Sequence, residues 1–389
     1  MNKQIIDFIK EQINNLDIFK VIYEDLQNIK NIAKMFENFE KVIVIGTGGS
    51  SLGGKCLSNF QAMISGVTSK VIFLENVDSL HFHNVITKCN PQKTGVIVIS
   101  KSGRTTEPLM LFLTLCEMWK DFDCSKQAIA ITELSQNNDI KNLAESKEMN
   151  VIEHNPKIGG RFSVFSVVGL LPAVIAGCNI NEFIESARSV LDAIKLYTAD
   201  HCPLINEAIA MYEVFCDGKI NQHVIFAYTD MLEDYGKWAV QLISESLGKS
   251  AEFGITPVRA IGTVDQHSML QLFLGGPLNK FYTVIKVKNN YETPCISSNV
   301  QTKIIETLNG HNINDLMNAH ARSTIEVLKK VAKVRVIEFD KLGFSELGEL
   351  MIRNFIEVLV IAKLANINPY NQPAVEESKK LAMQYLQLS

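Results

Sequence analysis

The sequence predicts an α/β protein: two αβα units with mainly parallel sheets, followed by a C-terminal helical tail. Three observations carry that prediction. Short apolar runs of strand length alternate with helix-forming stretches in the first half. The alternation begins again in the second half. The chain has 389 residues, 47% hydrophobic and 21% charged, enough for two domains with ordinary cores. Continuous apolar runs belong to strands buried on both faces, as in a parallel sheet flanked by helices.

Each element can be justified in order. Ile5, Ile6, Phe8, Ile9, Ile13 and Leu16 recur at helical spacing, so the N-terminal stretch reads as an amphipathic helix. Lys41–Gly46, Lys70–Asn76, Gly95–Ser100, Ala128–Thr132 and Asn150–His154 read as the strands of the first unit. Glu107–Trp119 and Asp139–Ser146 have helix-forming composition between them. Residues 180–218 read as a helical connection. His223–Thr229, Phe281–Val287 and Val334–Phe339 read as strands of the second unit, with Met231–Leu247 and Glu346–Leu364 as helices. The domains expected are 1–178, 179–366 and a tail, 367–389, that closes over the site.

Composition excludes several classes. The net charge of -4 offers no large positive field, so nucleic acid is not the expected partner. No apolar stretch is long enough to span a bilayer. Val167–Cys178 comes closest, but it is short and carries Gly169, Pro172 and Gly177. The N-terminus lacks the apolar run of a secretory leader, so a cytoplasmic location is expected. Eight scattered cysteines without a CxxC read as free buried thiols. His81 and His83 have no evident third ligand, and neither metal nor cofactor is expected.

Several segments carry chemistry. GTGGSSLGGK, Gly46–Lys55, follows a strand and lets the backbone approach an anion closely. It misses the dinucleotide fingerprint at Ser51 and the P-loop pattern at Cys56. SKSGRTTEP, Ser100–Pro108, offers the hydroxyls of Ser100, Ser102, Thr105 and Thr106, the charges of Lys101 and Arg104, and a helix N-terminus. A phosphate dianion suits it. Arg161 sits between a glycine pair and an apolar stretch, where a cation needs a partner or stabilises an oxyanion. Glu245 lies late in a helical pattern with Gln241 four residues earlier on the same face. His267 follows downstream in DQHS.

Together these segments resemble the glucose-6-phosphate isomerase, or phosphoglucose isomerase, family. GTGGSSLG is similar to its GIGGSxLG turn, SKSGRTTEP to its SKTxTTxE loop, and GGRFSVFSVVGL to its GGRxSxxSxxGL signature. SESLGK is similar to ESxGK, GTVDQHS to GTxxQHS, and NPYNQPAVEESK to NPFDQxGVExxK. The six lie in the family's order from Gly46 to Lys379.

The resemblance implies two SIS domains and reversible isomerisation of glucose 6-phosphate and fructose 6-phosphate through a cis-enediol(ate). It implies that Gly49, Ser50, Ser100, Lys101, Ser102 and Thr105 hold the phosphate. Glu245 would move the proton between C2 and C1, and Arg161 would stabilise the negative charge. His267, helped by Lys379, would open the sugar ring, and Gln241 and Gln372 would orient the sugar. A homodimer is implied, with His267 supplied in trans.

The chain departs from the family at Arg104, where a small hydroxyl residue is usual, and at Tyr370, Asn371 and Ala374. Physical reasoning agrees with the implied reaction. Removing a proton beside a carbonyl needs a positioned base, a stabilised oxyanion and exclusion of water. Two rivals stay open at the level of sequence: an isomerase acting also on phosphomannose, and a sugar-phosphate sensor built on SIS domains.

Overall fold

A computed structural model describes residues 2–197, 202–289 and 291–388. Its frame is two wholly parallel sheets. The first comprises β1 (Lys41–Ile45), β2 (Val71–Leu74), β3 (Thr94–Ile99), β4 (Ala128–Thr132) and β5 (Asn150–Glu153), in spatial order β2-β1-β3-β4-β5. The second comprises β6 (Gln222–Tyr228), β7 (Thr256–Ile261), β8 (Lys280–Val287) and β9 (Val334–Phe339), in order β7-β6-β8-β9. The two orders share one logic: the first strand of each unit lies inside, its successor on one side and the third on the other.

That order creates a switch point between β1 and β3, paired from Lys41↔Thr94 to Ile45↔Val98. Loops leaving the carboxyl ends of two such strands diverge, and the crevice between them is where ligands bind in open α/β sheets. The turn after β1 and the hydroxyl-rich loop after β3 are those loops.

Burial follows the pleat. Ile43, Ile45, Val96 and Val98 face Phe112, Leu115 and Trp119 on one side of the first sheet. Val42, Val44, Ile97 and Ile99 face Phe36, Val168 and Leu171 on the other. In the second sheet Val224, Phe226 and Val284 meet Phe273 and Leu328. Ile225, Ala227 and Ile285 share a core with Trp238 and Leu347. That last core also takes in Phe60, Phe162 and Phe165, so it joins the two sheet units. At its centre lies the helix Phe344–Leu364, with 15 of its 21 residues buried. Phe355 on it meets the rings of Phe162, Phe165 and Trp238.

The expected helices are present, with adjustments. The amphipathic N-terminal helix is Asn2–Asn15, burying Ile5, Ile6, Ile9 and Ile13. The helical connection divides into Ile180–Leu196 and Pro203–Phe215; residues 198–201 of that expectation lie outside the described residues. The helix expected at Met231 begins with a 3-10 turn, Asp230–Leu232, before Glu233–Leu247.

Strand β7 was not foreseen. It is an edge strand holding Pro257 and Arg259, half-exposed over most of its length, so it shows no apolar run. The edge strands β5 and β9 are likewise only partly buried, unlike β3 and β4. The reading of all eight thiols as buried also needs correction: Cys216 and Cys295 are exposed and Cys116 and Cys124 half-exposed. Among the described residues no helix is long and apolar enough to cross a membrane.

Candidate active site

The site is assembled from the turn after β1, the segment 159–163, the end of the helix Glu233–Leu247 and the start of the tail. Glycine makes the first contact possible. A Cβ on Gly49 would come within 2.1 Å of the Gly160 carbonyl carbon and 2.6 Å of the Arg161 nitrogen. These are backbone atoms that cannot give way. Ser163 fixes the approach, its hydroxyl 2.9 Å from Gly49 O and 2.7 Å from Gly160 O. The two loops therefore touch main chain to main chain, and Arg161 enters between them.

Arg161 is the hub. Its side chain is 1% exposed. Nε donates to Ser246 Oγ at 2.9 Å and Nη1 to Glu245 Oε2 at 3.0 Å. Nη2 donates to Pro369 O and, at 3.3 Å, to Asn371 O. Burial pushes the guanidinium's pKa down and Glu245 opposes that, yet guanidinium stays charged in proteins. A buried cation keeps its charge by pairing and hydrogen bonding, and here four contacts supply that.

Glu245 is half-buried, and each carboxylate oxygen has a partner. Gln241 Nε2 donates to Oε1 at 3.0 Å, the contact that four-residue helical spacing allows. This fixes the amide's orientation, since only its nitrogen can donate to a carboxylate. Gln241 Oε1 is then buried without a hydrogen-bond partner among the described residues. Unpaired buried acceptors are costly and draw a donor from whatever fills the site.

The hydroxyl-rich loop is braced from β4. Thr132 Oγ1 donates to Ser100 O at 2.7 Å, and Asn138 Nδ2 donates to Thr132 Oγ1 at 2.7 Å. Gly103 adopts φ 64° directly over Asn138, where a Cβ would overlap its side chain. Ser100 Oγ lies 3.1 Å from Thr105 Oγ1, and Ser102 Oγ accepts from Arg104 N. Lys101 Nζ lies 3.5 Å from Glu133. The loop leads into the helix Thr106–Met118, whose first amides are available to an anion. Lys55, the lysine of the P-loop near miss, is paired with Glu75.

The expected site residues fall into two groups. Gly49, Arg161, Gln241 and Glu245 converge, and Ser50, Ser100, Lys101, Ser102 and Thr105 line the loops on either side of the switch point. The other group does not join them. His267 is exposed after the 3-10 turn Val264–Gln266 and makes no hydrogen bond or ion pair with Glu245, Arg161 or Gln241. Lys379 is exposed and paired at 2.7 Å with Glu376. Gln372 is exposed at the start of the turn Pro373–Val375.

Reading the sequence missed Ser246, Lys249 and the carbonyls of Pro369 and Asn371. Ser246 and Lys249 lay within SESLGK and could have been noticed. Backbone carbonyls carry no sequence signal.

Comparison with known proteins gives the family. The chain matches the phosphoglucose isomerase family over residues 6–388. It is 30% identical over 379 residues to the glucose-6-phosphate isomerase of Campylobacter jejuni, covering 95% of this chain and 89% of that protein. A hypothetical protein of Thermus thermophilus superposes with a TM-score of 0.87 at 26% identity, over 98% of this chain and 94% of that one. A glucose-6-phosphate isomerase from Chlamydia trachomatis shares the fold, with a TM-score of 0.78 at 20% identity over 95% and 74% of the two chains. Two parallel αβα units frame the site, and the match over nearly the whole length leads to one conclusion: the chain belongs to the phosphoglucose isomerase family.

Proposed function

We propose that the chain interconverts glucose 6-phosphate and fructose 6-phosphate, serving glycolysis and gluconeogenesis. The observation that carries this reading is the Glu245 carboxylate held between Gln241 and Arg161. Each bonded oxygen keeps a further lone pair, so the carboxylate is oriented without being disabled as a base. Glu245 takes the proton from C2 and returns it at C1. Four hydrogen bonds occupy four of the five N–H groups of Arg161, and the one left on Nη1 serves the enediolate oxygen. The unpaired Gln241 Oε1 accepts a sugar hydroxyl.

Gly49, Ser50, Ser100, Lys101, Ser102 and Thr105 hold the phosphate at the switch point, where hydroxyls and helix-start amides suit a dianion. No metal or cofactor enters the scheme. His267 opens the ring, helped by Lys379, and Gln372 steadies the sugar. Because His267 is exposed and makes no hydrogen bond or ion pair with Glu245, Arg161 or Gln241, we assign it to the site of a second copy in a homodimer. Exposed Leu381, Tyr385, Leu386 and Leu388 on the tail helix, and Tyr291, Ile304 and Ile313, supply apolar surface for such an interface. Domains at 1–178 and 179–366, a tail at 367–389 and a cytoplasmic location complete the reading.

The test is conversion of fructose 6-phosphate to glucose 6-phosphate by the purified protein, read through a glucose-6-phosphate dehydrogenase couple with and without chelator. Chelator-insensitive turnover is expected. A folded dimer without turnover would overturn the reading.

A further inference from the structure

The base-bearing helix ends at Leu247, and Lys249 follows two residues later. Its ammonium does not swing out on its flexible stem to water. It donates to the carbonyl oxygen of Asn371, the same oxygen that Arg161 Nη2 reaches at 3.3 Å. Two cations thus converge on one main-chain acceptor. Burial lowers the pKa of Lys249, the charge of Arg161 lowers it further, and Glu245 opposes both. The ammonium therefore belongs to the same electrostatic cluster as the proposed base.

The acceptor's place in the chain gives the contact its meaning. Pro369 is buried, and the Tyr370 ring lies 5.9 Å from that of Phe162. Beyond this point every described residue from Asn371 to Leu388 is exposed, and the helix Glu376–Leu388 buries none of its residues. The body therefore grips the tail at Pro369–Asn371, chiefly through main-chain carbonyls. Gln372 follows directly, and Lys379 lies in the first turn of the helix.

We propose that Lys249 is a positioning residue for the isomerisation: with Arg161 it clamps the Asn371 carbonyl and so holds the tail in register with Glu245. This rests on the isomerase reading above. The clamp links the base and the tail through one residue, since Lys249 continues the backbone that carries Glu245. An error of about one ångström in placing a reacting group can cost large factors in rate.

The test compares Lys249→Met and Lys249→Arg with the unaltered protein, by steady-state kinetics on fructose 6-phosphate and by amide hydrogen exchange. Lys249→Met is expected to lower kcat about tenfold with KM changed by less than about threefold, because the phosphate loop lies on other elements. Exchange should quicken in residues 368–388 and nowhere else. Lys249→Arg, which keeps a donor at that reach, should restore most of kcat and the tail's protection. If Lys249 only complements the end of its helix, thermal stability alone will move, and the proposal falls. Unchanged kcat, unchanged tail exchange, or a Lys249→Arg protein as slow as Lys249→Met would each overturn the proposal. If the unaltered protein turns over no fructose 6-phosphate, the isomerase reading falls, and tail exchange alone decides whether Lys249 is a clamp.

Discussion

At the scale of single residues, the site rests on one carboxylate and one guanidinium. Glu245→Gln keeps the shape and the contact with Gln241 but removes the proton acceptor. It should lower kcat by about a thousandfold, the range of general-base catalysis, while inorganic phosphate inhibits or binds as before. Turnover near that of the unaltered protein would remove Glu245 from its assigned role. Arg161→Lys retains charge but cannot donate at once to Ser246, Glu245, Pro369 and Asn371. A fall in kcat of about a hundredfold is expected, measured in the same coupled assay.

At the scale of elements, the site depends on how closely two loops approach. Gly49→Ala sets a methyl against the backbone of Gly160 and Arg161. The loops must part, and Arg161 moves with them. Loss of about 2 kcal/mol of stability in urea unfolding is expected, with kcat at least about tenfold lower. A stable, fully active Gly49→Ala protein would show that the approach is not needed. The elements also show what pattern reading detects. Strands β1, β3, β4, β6 and β8 lie inside their sheets, covered on both faces, and announce themselves as apolar runs. Edge strand β7, with Pro257 and Arg259 and partial exposure, does not.

At the scale of the whole molecule, two buried histidines set an acid limit. His223 is 3% exposed and bonds Thr283 Oγ1 at 2.8 Å; burial, aided by Arg335, pushes it down to about 3. Burial brings His154 to about 4. In the unfolded chain both protonate at about pH 6.5. Above that neither state takes up the proton and these groups add no pH dependence. Below it the unfolded chain binds protons that the folded chain refuses, so stability falls with pH until the folded values are reached. Each histidine contributes at most about 1.4 kcal/mol per pH unit. Urea unfolding across this window should show the slope, and His223→Gln should flatten it by about one proton.

The dimer proposed for His267 has its own test at this scale. Glu245→Gln and His267→Ala proteins, each inactive, should regain about a quarter of full activity when refolded together, since each hybrid carries one intact site. No regain would place the histidine in its own subunit.

The sequence by itself determined the class of fold, the loops at the ends of β1 and β3, and the pairing of Gln241 with Glu245. Each of these is local: a run of apolar residues, a glycine turn after a strand, or Gln241 and Glu245 one helical turn apart. Only the tertiary structure decided the partners of Arg161. Its guanidinium bonds Ser246, 85 residues on, and the Pro369 carbonyl, 208 residues away. Main-chain acceptors look alike at every position in a sequence, and chain folding alone selects those that a buried cation meets. The same holds for Lys249, an unremarkable charge after a helix until folding brings Asn371 to it.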